Sequence, residues 1–235
     1  MEQIHDYVGR VAEYFKDQLG SVLVEIYQLG SLAHGGFSEI YSDIDVGLIL
    51  NCVAPPSQME RFIADAKALH ADYGKKLSVF WGNPEFNWGR LPVLDRLDLL
   101  DHGVPMLNNV KPVFPRPSKD SIHVALRDSL QKSYLSKLAE LINLHALEPQ
   151  SRKPYIRSIL YPARLIYSWD FLAVNSNDCA VEYLQKCKPA GLDLKPIEMA
   201  LACRHERCAA EDVFALKTDL HRQFASVIGY IKSRP

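Results

Sequence analysis

The sequence predicts an α+β protein in two parts: a small mixed-sheet domain over residues 1–112, then an all-α helical bundle over residues 118–235. Three features carry this expectation. The first half interleaves helix-period segments with short runs rich in β-branched and aromatic residues, so sheet and helix share one core. Lys111-Pro-Val-Phe-Pro-Arg-Pro117 denies continuous regular structure and sets a hinge near residue 112. Beyond it, apolar positions recur at helical spacing almost to the end.

In order along the chain, Ile4, Tyr7, Val8, Val11, Tyr14, Phe15 and Leu19 form one face of a helix over 3–19, which Gly20-Ser21 breaks. Val22–Leu29 is rich in β-branched and aromatic residues and reads as the first strand. Ser31, whose hydroxyl can accept from a backbone amide, is expected to cap a short helix. Asp43–Leu50 is the second strand. Pro55-Pro56 marks a turn before an amphipathic helix over 57–73, with Met59, Phe62, Ile63, Ala66 and Leu69 on its apolar face and Gly74 at its end. Lys76–Trp81 is the third strand, and a helix near Leu91–Asp101 stops at Gly103. In the second half helices are expected over 119–147, 152–174, 177–188, 194–206 and 210–232, with Ser176-Asn-Asp178 and Glu211-Asp212 as start signals. Pro162 kinks or starts a helix.

Composition narrows the classes. At 235 residues the chain can bury a sizeable core, and 48% hydrophobic with 23% charged residues is ordinary for a globular protein. A net charge of −1 gives no support to general nucleic-acid binding, which goes with a basic excess. The opening MEQIHDYVGR carries acidic and polar residues where a signal peptide needs an apolar stretch, and no apolar run approaches a bilayer span. A cytoplasmic protein with no membrane partner is therefore expected. Cys52, Cys179, Cys187, Cys203 and Cys208 are odd in number and lack framework spacing, so they read as reduced thiols.

The chemistry concentrates between Gly30 and Leu50, read as Gly-Ser-Leu-Ala-His-Gly-Gly-Phe-Ser-Glu-Ile-Tyr-Ser-Asp-Ile-Asp-Val-Gly-Leu-Ile-Leu. Alternation at period two puts Asp43 and Asp45 on one face of a strand. Alternating polar residues at a strand start can simply face water, but aspartate is depleted from strands and two like charges there repel, a repulsion that a cation relieves. Hard carboxylates suit Mg²⁺, and the Gly30-Ser31 corner with Ser42 offers amides and hydroxyls to phosphate oxygens. This is equipment for metal-assisted nucleotidyl transfer. His34 can donate to phosphate or be a plain loop residue. Phe80, Trp81, Phe86 and Trp88 can stack a base, with Trp81 the leading one, or simply fill the core. Cys203-Arg-His205-Glu-Arg-Cys208 invites a zinc reading, but at 3.6 residues per turn its cysteines point about 140° apart on a helix.

The Gly30–Asp45 run resembles the signature of the polymerase-beta-like nucleotidyltransferases, a Gly-Ser followed about a dozen residues on by Asp-x-Asp. Within that superfamily the chain is similar to the aminoglycoside adenylyltransferases of the streptomycin/spectinomycin type, which have a C-terminal helical domain. The resemblance implies Asp43 and Asp45 as catalytic residues and Mg²⁺ ligands. It also implies nucleotide binding by Gly30, Ser31, Ser42 and Arg164. Arg164 is carried over from Arg164-Leu-Ile-Tyr-Ser168 and the following Asp178-Cys-Ala-Val-Glu-Tyr183; an ion-paired surface arginine is the plain alternative. ATP or another nucleoside triphosphate is the implied donor.

Three departures qualify that resemblance. The family's third carboxylate falls on Ser78, a poor Mg²⁺ ligand and no general base at neutral pH. Glu85, Asp95 or Asp98 is the available substitute, with Asp95 and Asp98 expected on a solvated acidic helix face. The family's phosphate-binding lysine falls in Asn175-Ser-Asn177, with Lys186 or Lys188 nearby. The acidic residue that meets a polycationic aminoglycoside falls near Lys153-Pro154, which argues against a cationic drug as acceptor. The leading expectation is a Mg²⁺-dependent nucleotidyltransferase moving AMP from ATP to a hydroxyl or amine of a small molecule or protein, with ligand in a cleft between the domains. The alternative is a catalytically degenerate nucleotide-binding or regulatory module. Acceptor and oligomeric state leave no readable motif.

Overall fold

The computed structural model describes residues 2–108 and 114–234; the hinge expected near residue 112 lies outside them. The chain divides into two units, one of Met1–Gly35 with Ser42–Pro117 and one of Gly36–Tyr41 with Ser118–Pro235. The architecture is α+β, with a mixed five-stranded sheet in the first unit and helices throughout the rest of the chain. Among the described residues no helix is long and apolar enough to cross a membrane.

The first unit begins with α1 (Glu2–Leu19), whose buried residues Ile4, Tyr7, Val8, Val11, Phe15 and Leu19 fall three and four apart, as an amphipathic helix requires. Strands β1 (Leu23–Leu29), β2 (Ile44–Leu50), β3 (Leu77–Gly82), β4 (Gly89–Arg90) and β5 (Val104–Pro105) form the sheet in the order β4-β3-β2-β1-β5. β2 is central, antiparallel to β1 and parallel to β3. Ile44, Val46, Leu48, Ile49 and Leu50 are all buried, because a strand covered on both faces cannot alternate with polar residues. Each such side chain contributes about 1.5–3 kcal/mol of burial free energy.

Helix α2 (Gly30–His34) follows β1 directly, while α3 (Pro56–Ala68) and α4 (Tyr73–Lys76) lie between β2 and β3. The helix expected over 57–73 is therefore two pieces: Leu69 and His70 leave the helix, and Gly74 reforms a turn by donating to the His70 carbonyl at 2.8 Å. α1 packs on α3 and β1, and the Tyr7 hydroxyl donates to the Ala66 carbonyl at 3.2 Å. Burial pushes that phenol up to about 12. α5 (Val93–His102) packs on β1 and α2, which decides the site described below.

One buried acid fastens the edge of the sheet. Glu25 is 1% exposed, and its carboxylate accepts from the Ile26, Leu107 and Asn108 amides at 2.9, 2.8 and 3.0 Å. The chain after β5 thus finds its backbone partners in a side chain.

In the second unit, α6 (Lys119–Asp128) continues through a wider π-wound turn at Ser129–Leu135 into α7 (Ser136–Ile142). α8 (Pro149–Phe171) is the axis, with α9 (Asn177–Cys187), α10 (Leu194–Arg204), α11 (Ala210–Ala215) and α12 (Leu220–Lys232) packed against it. Pro162 lies inside α8 and starts nothing. Ser176 caps α9 by accepting from Cys179 at 3.2 Å. The helix expected over 210–232 breaks at Lys217, which takes a positive φ of 46°, and Asp219 caps the new start. Asp170 on α8 accepts from the Tyr183 hydroxyl of α9 and the Tyr230 hydroxyl of α12 at 2.5 and 2.6 Å. Arg234 pairs with the same carboxylate at 3.2 Å, so three helices share one acid.

Segment Gly36–Tyr41 packs with these helices although its neighbours on both sides in sequence belong to the sheet unit. Arg204 donates to the Gly36 carbonyl at 3.1 Å, and the Tyr41 hydroxyl lies 3.1 Å from the buried Cys203 sulfur. Burial and that sulfur contact raise the Tyr41 phenol above its ordinary value. Cys203 is thereby spent on packing, and the five cysteines carry free thiols.

Glu25→Ala strips three amides of their acceptor, the buried one of Ile26 and the partly exposed ones of Leu107 and Asn108, and is expected to lower stability by about 3 kcal/mol, since an orphaned buried amide costs on the order of 1–3 kcal/mol and water can replace the acceptor only for the exposed ones. Glu25→Gln, keeping one oxygen, should fall between. Urea unfolding midpoints of the two variants check the order.

Candidate active site

The site grows from the end of β1. Leu29 pairs with Asp45 across the antiparallel ladder, so the turn that follows Leu29 begins beside the Asp45 carboxylate. That turn is Gly30, at φ 64°. A Cβ there would collide with Asp45 Oδ2, so the position needs glycine for space as well as for backbone conformation. Asp43 stands one residue ahead of β2 and Asp45 within it, two apart on one face and both half-buried.

Ser31 does not cap its helix, contrary to expectation. Leu29 holds the cap position with no side-chain bond, and the Ser31 hydroxyl instead donates to Ser42 Oγ at 3.0 Å. This bond joins the residue after Gly30 to the residue before Asp43. It brings together four of the residues expected to bind nucleotide and metal, Gly30, Ser31, Ser42 and Asp43, with Asp45 alongside. Arg164 is on the exposed face of α8 in the helical unit.

Ser78 is the register partner of Asp45 on β3, so its hydroxyl faces the same side as that carboxylate. The strand position that would give a third acid beside Asp45 carries none. Glu85 is exposed in the loop after β3, where it accepts from the Asn83 side-chain amide. Asp95 is half-buried in the first turn of α5.

Asp98 departs from the expected solvated face. It is 8% exposed, flanked by buried Leu97 and Leu99, and its Oδ2 accepts from the Gly30 amide at 2.5 Å. The cause is the packing of α5 on α2 and β1, which turns this side of the helix inward. Asp98 Oδ1 is buried with no hydrogen-bond partner, and His34 Nε2 is 3.8 Å away. His34 also makes a 3.1 Å contact from Nδ1 to the Gly35 carbonyl and sets its ring edge-on to His102 at 5.4 Å. The one sequence signal for Asp98 is that it falls among leucines on a short helix; its partner is 68 residues away.

Of the four aromatic residues expected to stack a base or fill the core, Phe86 and Trp81 are buried, and Phe80 and Trp88 are half-buried. Phe86 and Leu91 pack with Tyr27, Leu29 and Phe114, Phe80 leans on the same group, and Trp81 is buried with Arg90 over its ring at 5.9 Å. Among the described residues no group of three or more His, Cys, Asp or Glu side chains is arranged to hold a metal. Cys203 is buried in α10, while Cys208 lies past its end and donates to the Met199 carbonyl at 3.3 Å. The Asp43–Asp45 pair fits Mg²⁺ in another way. That ion is commonly held by one or two carboxylates and completed by water and substrate phosphates.

No family model matches the chain, and no curated protein sequence does. Among solved structures it is similar to the spectinomycin adenyltransferase AAD(9) from Enterococcus faecialis, determined with ATP and spectinomycin, with a TM-score of 0.64. The chain shares the fold of that adenyltransferase. The alignment covers 95% of this chain and 99% of that one at 15% identity, a likeness of fold that runs through both the sheet and the helical parts.

Gly30→Ala is expected to cost more than Gly20→Ala. Both glycines have positive φ, but a Cβ at Gly20 meets open space. Gly20→Ala should cost about 1–2 kcal/mol for the left-handed backbone alone, and Gly30→Ala should add the displacement of Asp45. Paired denaturation curves measure the difference.

Proposed function

We propose that the protein is a Mg²⁺-dependent nucleotidyltransferase that moves a nucleoside monophosphate, AMP from ATP, to a hydroxyl or amine of a small molecule or protein. The observation that carries this reading is the placement of Asp43 and Asp45 against the Gly30-Ser31 corner, on a fold similar to that of an enzyme solved with ATP.

In this reading Asp43 and Asp45 hold magnesium, which when bound supplies positive charge to the triphosphate and to the leaving pyrophosphate. The Ser31 amide and the Ser42 hydroxyl donate to phosphate oxygens, and the Ser31 hydroxyl, donating to Ser42 Oγ, keeps the two serines oriented beforehand. Arg164 contributes a charge-assisted contact to the phosphates. The attacking oxygen or nitrogen of the acceptor forms a bond to the α-phosphorus as the bond to the β-phosphate oxygen breaks. Ser78 has no base strength to take the acceptor proton. Acceptors that ionise readily, or a carboxylate brought by the acceptor itself, suit the site best.

A second reading, a nucleotide-binding or regulatory module without turnover, is favoured by one observation: Ser78 is the residue in register with Asp45. Lys186, which stands near the missing phosphate lysine in sequence, pairs with Glu182 at 2.6 Å on the surface of α9. The two readings share a nucleotide site and part at pyrophosphate release.

Wild-type protein should be stabilised against heat by ATP with Mg²⁺ and much less by ATP with EDTA. Asp43→Asn/Asp45→Asn should lose the magnesium-dependent part of the shift while keeping its own melting temperature within a few degrees. Pyrophosphate release over a panel of hydroxyl and amine acceptors should fall by about 10²-fold or more in the double variant, the scale of removing transition-state charge stabilisation. A shift that is independent of magnesium and survives both substitutions rejects the proposal. Tight binding with no pyrophosphate from any acceptor selects the regulatory module.

A further inference from the structure

A carboxylate that is nine-tenths buried with one oxygen out of hydrogen-bond reach of any donor is costly, and a residue kept at that cost needs a reason beyond packing. Asp98 is such a residue, His34 Nε2 at 3.8 Å being its nearest ion-pair contact. Oδ2 is committed to the Gly30 amide at 2.5 Å, and Oδ1 has no hydrogen-bond partner. An apolar side chain of similar size would avoid the penalty. The amide that Asp98 takes belongs to the first residue of α2, whose N–H has no acceptor within its own helix. It also belongs to the one residue that must present a bare Cα to the Asp45 carboxylate.

We propose that Asp98 is a positioning residue for the metal-binding pair, acting through Gly30. This rests on the nucleotidyltransferase reading and extends it to a residue outside the Gly-Ser and Asp-x-Asp motifs. The charge-assisted bond from Gly30 to Asp98 fixes the peptide between Leu29 and Gly30, and with it the left-handed turn that leaves room for Asp45. If that peptide rotates, the space beside Asp45 closes or opens and the carboxylate follows. A second consequence concerns donors. With its N–H held by Asp98, Gly30 contributes room to the site and no hydrogen bond to phosphate, so the donors at this corner are those of Ser31 and Ser42. Of the two carboxylates that flank Gly30, Asp45 meets the metal and Asp98 meets the backbone.

The test is magnesium-dependent binding of α,β-methylene-ATP by calorimetry, with melting temperature measured in parallel. Asp98→Leu fills the space and removes the acceptor; it should raise the apparent dissociation constant roughly tenfold or more, the size of one charge-assisted hydrogen bond lost. Asp98→Asn keeps an oxygen for the Gly30 amide and should restore binding to within about threefold. A folded Asp98→Leu protein that binds like wild type overturns the inference, as does an Asp98→Asn protein as impaired as Asp98→Leu. Should Asp98→Leu fail to fold, wild-type protein labelled with ¹⁵N-glycine decides. The Gly30 amide should exchange slowly with solvent both before and after the magnesium complex is added. Rapid exchange, or transfer of that amide to the nucleotide on binding, overturns the proposal. Absence of magnesium-dependent binding by the wild type rejects the functional reading itself, an outcome distinct from a wild type that binds and a variant that binds equally.

Discussion

Two carboxylates lie on either side of one glycine, and the backbone between them has no room for a side chain. Gly30 turns left-handed at the end of β1, gives its amide to Asp98 and lays its Cα against Asp45. Three elements meet at that residue: β1 ends there, α2 starts there, and β2 runs antiparallel with Asp45 opposite Leu29. α5 is added by Asp98. The order of strands in the sheet matters to the site because it makes β2 central, so that Asp45 has Leu29 on one side and Ser78 on the other.

Much of this was legible in the sequence, for identifiable reasons. β1, β2 and β3 are dense in Val, Ile, Leu and aromatic residues, and two of them end in unmistakable punctuation, Gly30-Ser31 and Gly82. The Asp-x-Asp pair needed only the two-residue period of an extended chain. The burial of Asp98 was not legible, because its helix carries Asp95, Asp98 and Asp101 together and looks like a face for water. Only the packing of α5 on α2 and β1 distinguishes Asp98, buried against Gly30, from Asp101, which meets Arg116 in an exposed ion pair at 2.6 Å. The capping role expected of Ser31 failed for a similar reason. A serine after glycine looks like a helix start, yet a distant hydroxyl, Ser42, competed for it and won.

The helical unit was read well as a set of helices and less well in its joints. A break at Lys217 is hard to foresee because lysine is a good helix former and takes a positive φ there against its preference. What holds the helices together is also non-local: Asp170 gathers hydroxyls from α9 and α12, and His123 stacks on Trp169 at 3.9 Å. These are single polar contacts between apolar faces, and periodicity shows the faces without showing the contacts.

The hexapeptide Gly36–Tyr41 interrupts the sheet unit in sequence and belongs to the helical unit. The obvious place to cut is the proline stretch, yet a fragment starting at Ser118 would lack the six residues that satisfy Arg204 and cover Cys203. The complementary fragment would keep that stretch as an orphaned excursion between the serine hydroxyls that close its base. Any attempt to transplant the helices onto another scaffold must therefore carry that loop with it.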